Sequence, residues 1–234
     1  MTAEAADRAA RPVGAGPVHD PDEEGQRSRE RAVRVALGAL AAILVVLSWK
    51  LPIWQAHLTA PQYPQGLRLS ASGSGVVGDI REINELNHYV GMAAFTDADA
   101  PEIKLWTPVI LLGLIGVALG TFLPRKNWLG RLARLGLWMI PIGALLDVQF
   151  RLYQYGHGVK PDAAIRLDPF TPLVVGPTHV LNFTTWSFPG PSLWCLFGAA
   201  FLVMFGPGLV RRAQLRWVNR GEYEEDDGAE LGAT

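Results

Sequence analysis

The chain has 234 residues, 49% hydrophobic and 18% charged, with a formal net charge of −1. Its apolar residues gather into blocks rather than recurring with amphipathic periodicity, which excludes an ordinary soluble fold and indicates a membrane protein whose apolar surface is covered by lipid. Near-neutral charge with no zinc-finger spacing and no basic–aromatic patch offers nothing to hold nucleic acid, and the single cysteine, Cys195, excludes an intramolecular disulfide, a CxxC redox motif and a cysteine zinc site.

Taken in chain order, residues 1–31 are rich in Ala, Gly, Pro and charge without periodicity and read as a disordered cytoplasmic tail. The first apolar block, "AVRVALGALAAILVVLSWKLPIW", predicts a span over 32–54, with Lys50 snorkelling and Trp49 and Trp54 at the interface. Residues 55–104 form a long loop, within which "LRLSASGSGVVGD" (67–79) reads as strand and turn. "DIREINEL" then opens a helix, with Asp79 as N-cap and Glu82 completing a capping box. Continued to residue 92, that helix puts Ile80, Ile83, Leu86 and Val90 on a packing face and Asn84, His88 and Met92 on a polar one.

A second span is predicted over 105–124, a basic loop over 125–132, and a third span over 133–150, interrupted by Pro141. A second long loop, 151–192, contains His157 and His179, the latter opening the extended, β-branched run "HVLNFTTW". A fourth span over 193–210 precedes a charged tail, 211–234. The fold class expected from these elements is an all-α membrane protein: four transmembrane helices with an extracytoplasmic cap formed by the two long loops, with room for some strand in the cap. The basic clusters "RSRERAVR", "PRKNWLGRLAR" and "RRAQLRWVNR" fall on one side of a four-span chain. The positive-inside rule makes that side cytoplasmic, so both termini face the cytoplasm and both long loops face outward.

Most of the side-chain chemistry lies in those two loops. Imidazole plus thioether is a ligand set that suits copper, above all Cu(I), and His88 and Met92 stand four residues apart. Two ligands do not complete a site, so His57, just after the first span, or His157 or His179 would have to add to them; the bland alternative is a hydrogen-bonded surface pair. No nucleophile elbow, P-loop, zinc-protease or haem-attachment motif occurs, and apart from Asp147 near an outer end the spans lack the internal carboxylates of an ion-coupled pump. The chain is therefore not expected to be an enzyme.

Three stretches carry a resemblance: "PIWQAHLTAPQYPQGL" (52–67), "GDIREINELNHYVGM" (78–92) and "PFTPLVVGPTHVLNFTTWSFPG" (169–190). They resemble a family of small bacterial inner-membrane proteins associated with the gene clusters that build nitrous oxide reductase, a periplasmic multicopper enzyme. Ala60, Pro61, Gln62, Tyr63 and Pro64, with Gly66 and Leu67, match the first motif of that family. Leu86, Asn87, His88, Tyr89, Gly91 and Met92 match the second, with Val90 in place of Ile, and Asn182, Phe183, Thr184, Ser187, Pro189 and Gly190 match the third. The likeness covers about residues 50–215 and leaves out the tails.

The resemblance implies a non-catalytic accessory role in maturing, or supplying copper to, a periplasmic copper enzyme. It implies contact with the bilayer and with protein partners in the same membrane or the periplasm. It also strengthens His88 and Met92 as candidate copper ligands, beside which His57 stands as the further candidate. The alternative is that the Asn-His-Tyr-x-Gly-Met pattern is a packing motif that holds the loop on the membrane surface. Two other classes stay open: an electron-transfer or quinol-linked membrane subunit, and a structural anchor whose cap docks another protein.

Overall fold

The computed structural model describes residues 21–95, 102–160 and 163–231. Its elements are α1 (Pro21–Ser48), β1 (Pro52–Ala60), β2 (Tyr63–Ser72), β3 (Gly75–Gly78), α2 (Ile80–Val90), α3 (Glu102–Phe122), α4 (Trp128–His157), β4 (Gly176–Val180), β5 (Phe183–Pro189) and α5 (Pro191–Leu231). Four helices contain stretches long and apolar enough to cross a bilayer: Gly25–Ser48, Leu105–Phe122, Trp128–His157 and Pro191–Ala213. Large apolar side chains remain exposed along them, among them Ile43 (61%), Leu112 (63%) and Leu146 (65%). Water does not cover such a surface at low cost, whereas lipid does, and the chain is a multi-pass membrane protein.

The all-α expectation gives way to a mixed architecture, because five strands form one antiparallel sheet in the order β3-β2-β1-β5-β4. The reason is visible in β1, where Trp54, Ala56, Leu58 and Ala60 alternate with Gln55, His57 and Thr59. This period of two belongs to a strand with one buried face. It was hidden by the apolar block before it, which absorbed Trp54 into the expected first span. The helix stops earlier. Ser48 Oγ donates back to the Val45 carbonyl at 2.7 Å, and the Trp49 and Lys50 amides bond to Val46 and Leu47, each at 3.2 Å. Pro52, which has no N–H to extend a helix, then opens the strand.

At the chain ends, residues 21–31 are the opening turns of α1 rather than tail, while 1–20 lie outside the described residues. α5 runs on to Leu231, through most of what was expected as a charged tail.

The two long loops build the sheet together. β1, β2 and β3 come from the first and β4 and β5 from the second, joined by the β1/β5 ladder from Trp54↔Pro189 to Thr59↔Thr184. The strand-and-turn reading of 67–79 corresponds to β2 and β3, and the extended run at His179 to β4 and β5.

The sheet is fastened to the bundle where β5 meets α5. The Gly190 amide donates to the Ile53 carbonyl at 2.7 Å, Ser192 Oγ donates to the buried Ser48 carbonyl at 2.8 Å, and a Cβ on Gly190 would overlap the Pro52 carbonyl. Below this joint the bundle core is built on small and branched residues, with Ala41 and Val45 of α1 against Ala199, Ala200 and Val203 of α5. Small side chains let helix backbones approach, which is how helices pack where lipid removes the hydrophobic incentive. A second core, of Trp54, Ala56, Leu67, Leu69, Ile83 and Leu152, lies between sheet and helices.

Candidate functional site: a cavity beneath the sheet

The inward face of the sheet does not close completely on the helices. A cavity of about 120 Å³ remains between Trp54, Ala56, Leu58 and Leu69 of the sheet, Ile83, Leu86, Asn87 and Val90 of α2, and Leu152 and Tyr155 near the end of α4. The segment leading into β4 closes another side with Leu167, Phe170 and Pro172, and Thr178, Val180, Phe183 and Thr185 line it from β4 and β5. Residues from three stretches far apart in sequence, 52–67, 78–92 and 169–190, therefore meet around one space.

Its walls are apolar apart from a few hydroxyls, the Met92 thioether and one polar pair. Asn87 is buried, and its side-chain amide donates to the Tyr155 hydroxyl. Tyr155 in turn donates to the Ala93 carbonyl at 2.6 Å and stacks on Phe95, ring centroids 4.5 Å apart. A buried amide without partners is costly, so this relay stabilises the wall while leaving polar atoms beside an otherwise greasy space. Sequence reasoning missed Asn87, although it sits four residues after Ile83 and three before Val90, within the buried stripe of α2.

Two further polar side chains hold the cover in place. Gln149 of α4 acts as a clip: its amide donates to the Pro172 carbonyl and its carbonyl accepts from the Val174 amide, both at 2.9 Å. Trp54 Nε1 donates to the Val174 carbonyl at 3.0 Å. The same segment is tied to the end of α2 through Lys160 N–H to Gly91 O (2.9 Å) and Ile165 N–H to Tyr89 O (3.1 Å).

The structure places the three sequence-predicted ligands in three different surroundings. α2 ends at Val90, Gly91 adopts a left-handed conformation (φ 74°), and the amides of Gly91 and Met92 both bond to the Asn87 carbonyl. The reversal removes Met92 from the helical face expected for it and places it among the residues that line the cavity. His88 stays on the helix, exposed, beside Arg81, Asn84, Glu85 and Tyr89. Asn84 keeps the face it was expected to share with His88, and its side chain exchanges two hydrogen bonds with the Phe95 backbone, at 2.7 and 3.1 Å. His57 lies opposite Arg68 and Trp186 in the sheet, on the face that alternates with Trp54, Ala56 and Leu58 and so points away from the cavity.

The remaining loop histidines are held locally. His157 stacks on Tyr153 and approaches its carbonyl at 3.0 Å, and His179 approaches the Thr184 hydroxyl at 3.0 Å. Among the described residues no three His, Cys, Asp or Glu side chains come close enough to share a metal ion. The capping role expected of Asp79 is also absent. Its carboxylate accepts from the Arg68 amide at 2.8 Å and ties α2 to β2 instead.

In size the cavity stands near the roughly 150 Å³ of an engineered apolar cavity that takes up benzene. It has room for one ring, a few methylenes or a partner's side chain, but not for a large polar substrate.

These features define a class: a multi-pass membrane protein whose helical bundle carries a five-stranded cap over an apolar cavity. No family model and no curated protein sequence matches the chain.

Proposed function

We propose that this chain is a non-catalytic membrane accessory protein that serves the maturation of, or copper supply to, an extracytoplasmic copper enzyme of the nitrous oxide reductase type. The sheet cap is its working part. The observation that carries this reading is the convergence of the three resemblance-bearing stretches, which lie far apart in sequence, on one cavity and the sheet above it. Such a cap is suited to receiving a partner's side chain or a small ligand. The basic segments 125–134 and 211–212, with those preceding Arg34, lie at the opposite end of the bundle, and the positive-inside rule makes that end cytoplasmic. The cap then faces the periplasm of a bacterial inner membrane.

In this reading copper is cargo of the cap. Met92 at the cavity and His88 on the adjacent surface are two separate contact points for it, and His57 belongs to the outer face of the sheet. The test is Cu(I) competition with a chelator on the purified detergent-solubilised protein, alongside His88→Ala and Met92→Ala. Tight one-to-one binding lost in either variant supports copper handling. Absence of binding in the unaltered protein sinks the copper-supply half of the proposal. Deleting the gene from a host with nitrous oxide reductase and measuring the reductase's copper content tests the maturation half.

A second reading, a quinol-linked subunit, is favoured by the ring-sized cavity with Tyr155 and Asn87 on its wall. A quinone co-purifying with the unaltered protein but not with a Leu58→Trp variant, which fills the space, would select it.

A further inference from the structure

At the end of the bundle away from the sheet, three arginines from three parts of the chain share one crevice. It is lined by Arg34 of α1, Arg125 of the α3–α4 turn and Arg134 of α4, over apolar walls from Leu37, Leu202 and Val203. Gly38, whose missing Cβ leaves room for Thr121, and Gly120, whose missing Cβ leaves room for Val203, bring the helices close enough to form it.

Arg134 is 7% exposed, with its guanidinium donating to the Gly120 carbonyl at 3.2 Å and the Leu123 carbonyl at 2.9 Å, which caps the end of α3. Arg125 donates to the Met204 carbonyl at 2.9 Å. Those bonds use three N–H groups, out of five on each guanidinium. Arg34 is exposed on the rim of the crevice. Among the described residues no carboxylate forms an ion pair with Arg34, Arg125 or Arg134.

Three like charges gathered over an apolar floor repel one another unless an anion joins them, and guanidinium forks match phosphate oxygens in geometry. Positive charge at this end is ordinary for topology, but a topological signal needs neither burial nor convergence on one crevice. We propose that this crevice binds a phosphate group, with the exposed Arg34 and Arg125 as its clamp and the buried Arg134 as its base. The free space is about 20 Å³, room for about one water-sized oxygen, so one phosphate oxygen enters and the rest of the group sits at the mouth between the guanidinium groups. The body of the ligand stays outside, as it does when a lipid headgroup enters between helix ends and its chains follow the apolar flank.

The phosphate can come from an anionic phospholipid or from solution, and the test separates the two. The full chain, delipidated in detergent, is offered phosphatidylglycerol or phosphatidylcholine and bound lipid is counted by native mass spectrometry. In parallel, its melting temperature is followed with inorganic phosphate against chloride at equal ionic strength. Arg34→Gln and Arg125→Gln are compared with Arg131→Gln, an exposed arginine at the same end but outside the crevice. Arg34→Gln removes no hydrogen bond that holds the fold, so it reports on the site even where an Arg134 variant fails to fold.

The expected result is retention of one phosphatidylglycerol, weakened about tenfold by Arg34→Gln or Arg125→Gln and unchanged by Arg131→Gln. Stabilisation by inorganic phosphate with the same pattern across the variants, and no lipid retention, makes free phosphate the ligand. Equal effects of all three variants, equal retention of phosphatidylcholine, or no response to either probe overturns the proposal.

Discussion

At the scale of single residues, the cavity wall depends on a relay whose partner Tyr155 lies outside every motif. Tyr155→Phe removes both the acceptor for the Asn87 amide and the donor to the Ala93 carbonyl. It is expected to cost about 1–3 kcal/mol, read as a lowered midpoint in thermal unfolding in detergent. Asn87→Ala combined with Tyr155→Phe should cost less than the two separate losses added, because each already orphans the other's partner. Gly91→Ala is harsher in kind. The residue holds φ 74°, and a Cβ there would stand 2.6 Å from Ala163 Cβ and 2.8 Å from the Lys160 carbonyl. It should cost more than about 1 kcal/mol, and it should also shift Met92, visible as altered accessibility of its thioether to oxidation. The sequence displayed His88 and Met92 as an i, i+4 pair because spacing assumes that the helix continues. What ends it is a single glycine, and whether a glycine ends a helix or merely weakens it depends on the carbonyls waiting beyond it.

At the scale of elements, the joint between sheet and bundle is a few atoms wide. Ser192→Ala leaves the buried Ser48 carbonyl without its donor, for an expected loss of about 1–3 kcal/mol. Gly190→Ala drives a Cβ into the Pro52 carbonyl and should loosen β1 and β5 together. Hydrogen exchange faster along both strands than along α3 would check this. A uniform rise would mean that the sheet does not open on its own. The strands were partly legible. Alternation in 67–79 and β-branched residues after His179 are local signals, and both stretches form strands. β1 was not legible, because Lys50 before it reads equally well as a snorkelling residue near the end of a span and Trp54 serves equally well as an interface residue or a strand core residue. The pairing of β1 with β5 was beyond local reading altogether, since the partners run from Thr59↔Thr184 to Trp54↔Pro189, far apart along the chain.

At the scale of the whole molecule, orientation is the prediction with the widest consequences. Cys195→Ala supplies a background without thiols. Ser74→Cys in the β2–β3 turn and Lys126→Cys in the α3–α4 turn then mark the two ends of the bundle. A membrane-impermeant maleimide should label the first in spheroplasts and the second only in inverted vesicles. The reverse pattern would put the cap in the cytoplasm and end any role at a periplasmic enzyme.

The four spans were determined by the sequence itself, because a run of some twenty apolar residues has few stable places other than lipid. Side-chain alternation likewise marked part of the cap as strand. Tertiary structure decided what the cap is. Trp54, Asn87, Gln149, Tyr155 and Phe183 acquire their roles only when two distant loops pair into one sheet and close over α2 and α4. It also drew Arg34, Arg125 and Arg134 into one crevice from positions that read only as topological charge. Spans are fixed by the free energy of transferring each segment into lipid, a sum over local residues. Sites are fixed by packing and hydrogen bonds between segments, and their register is written in no single segment.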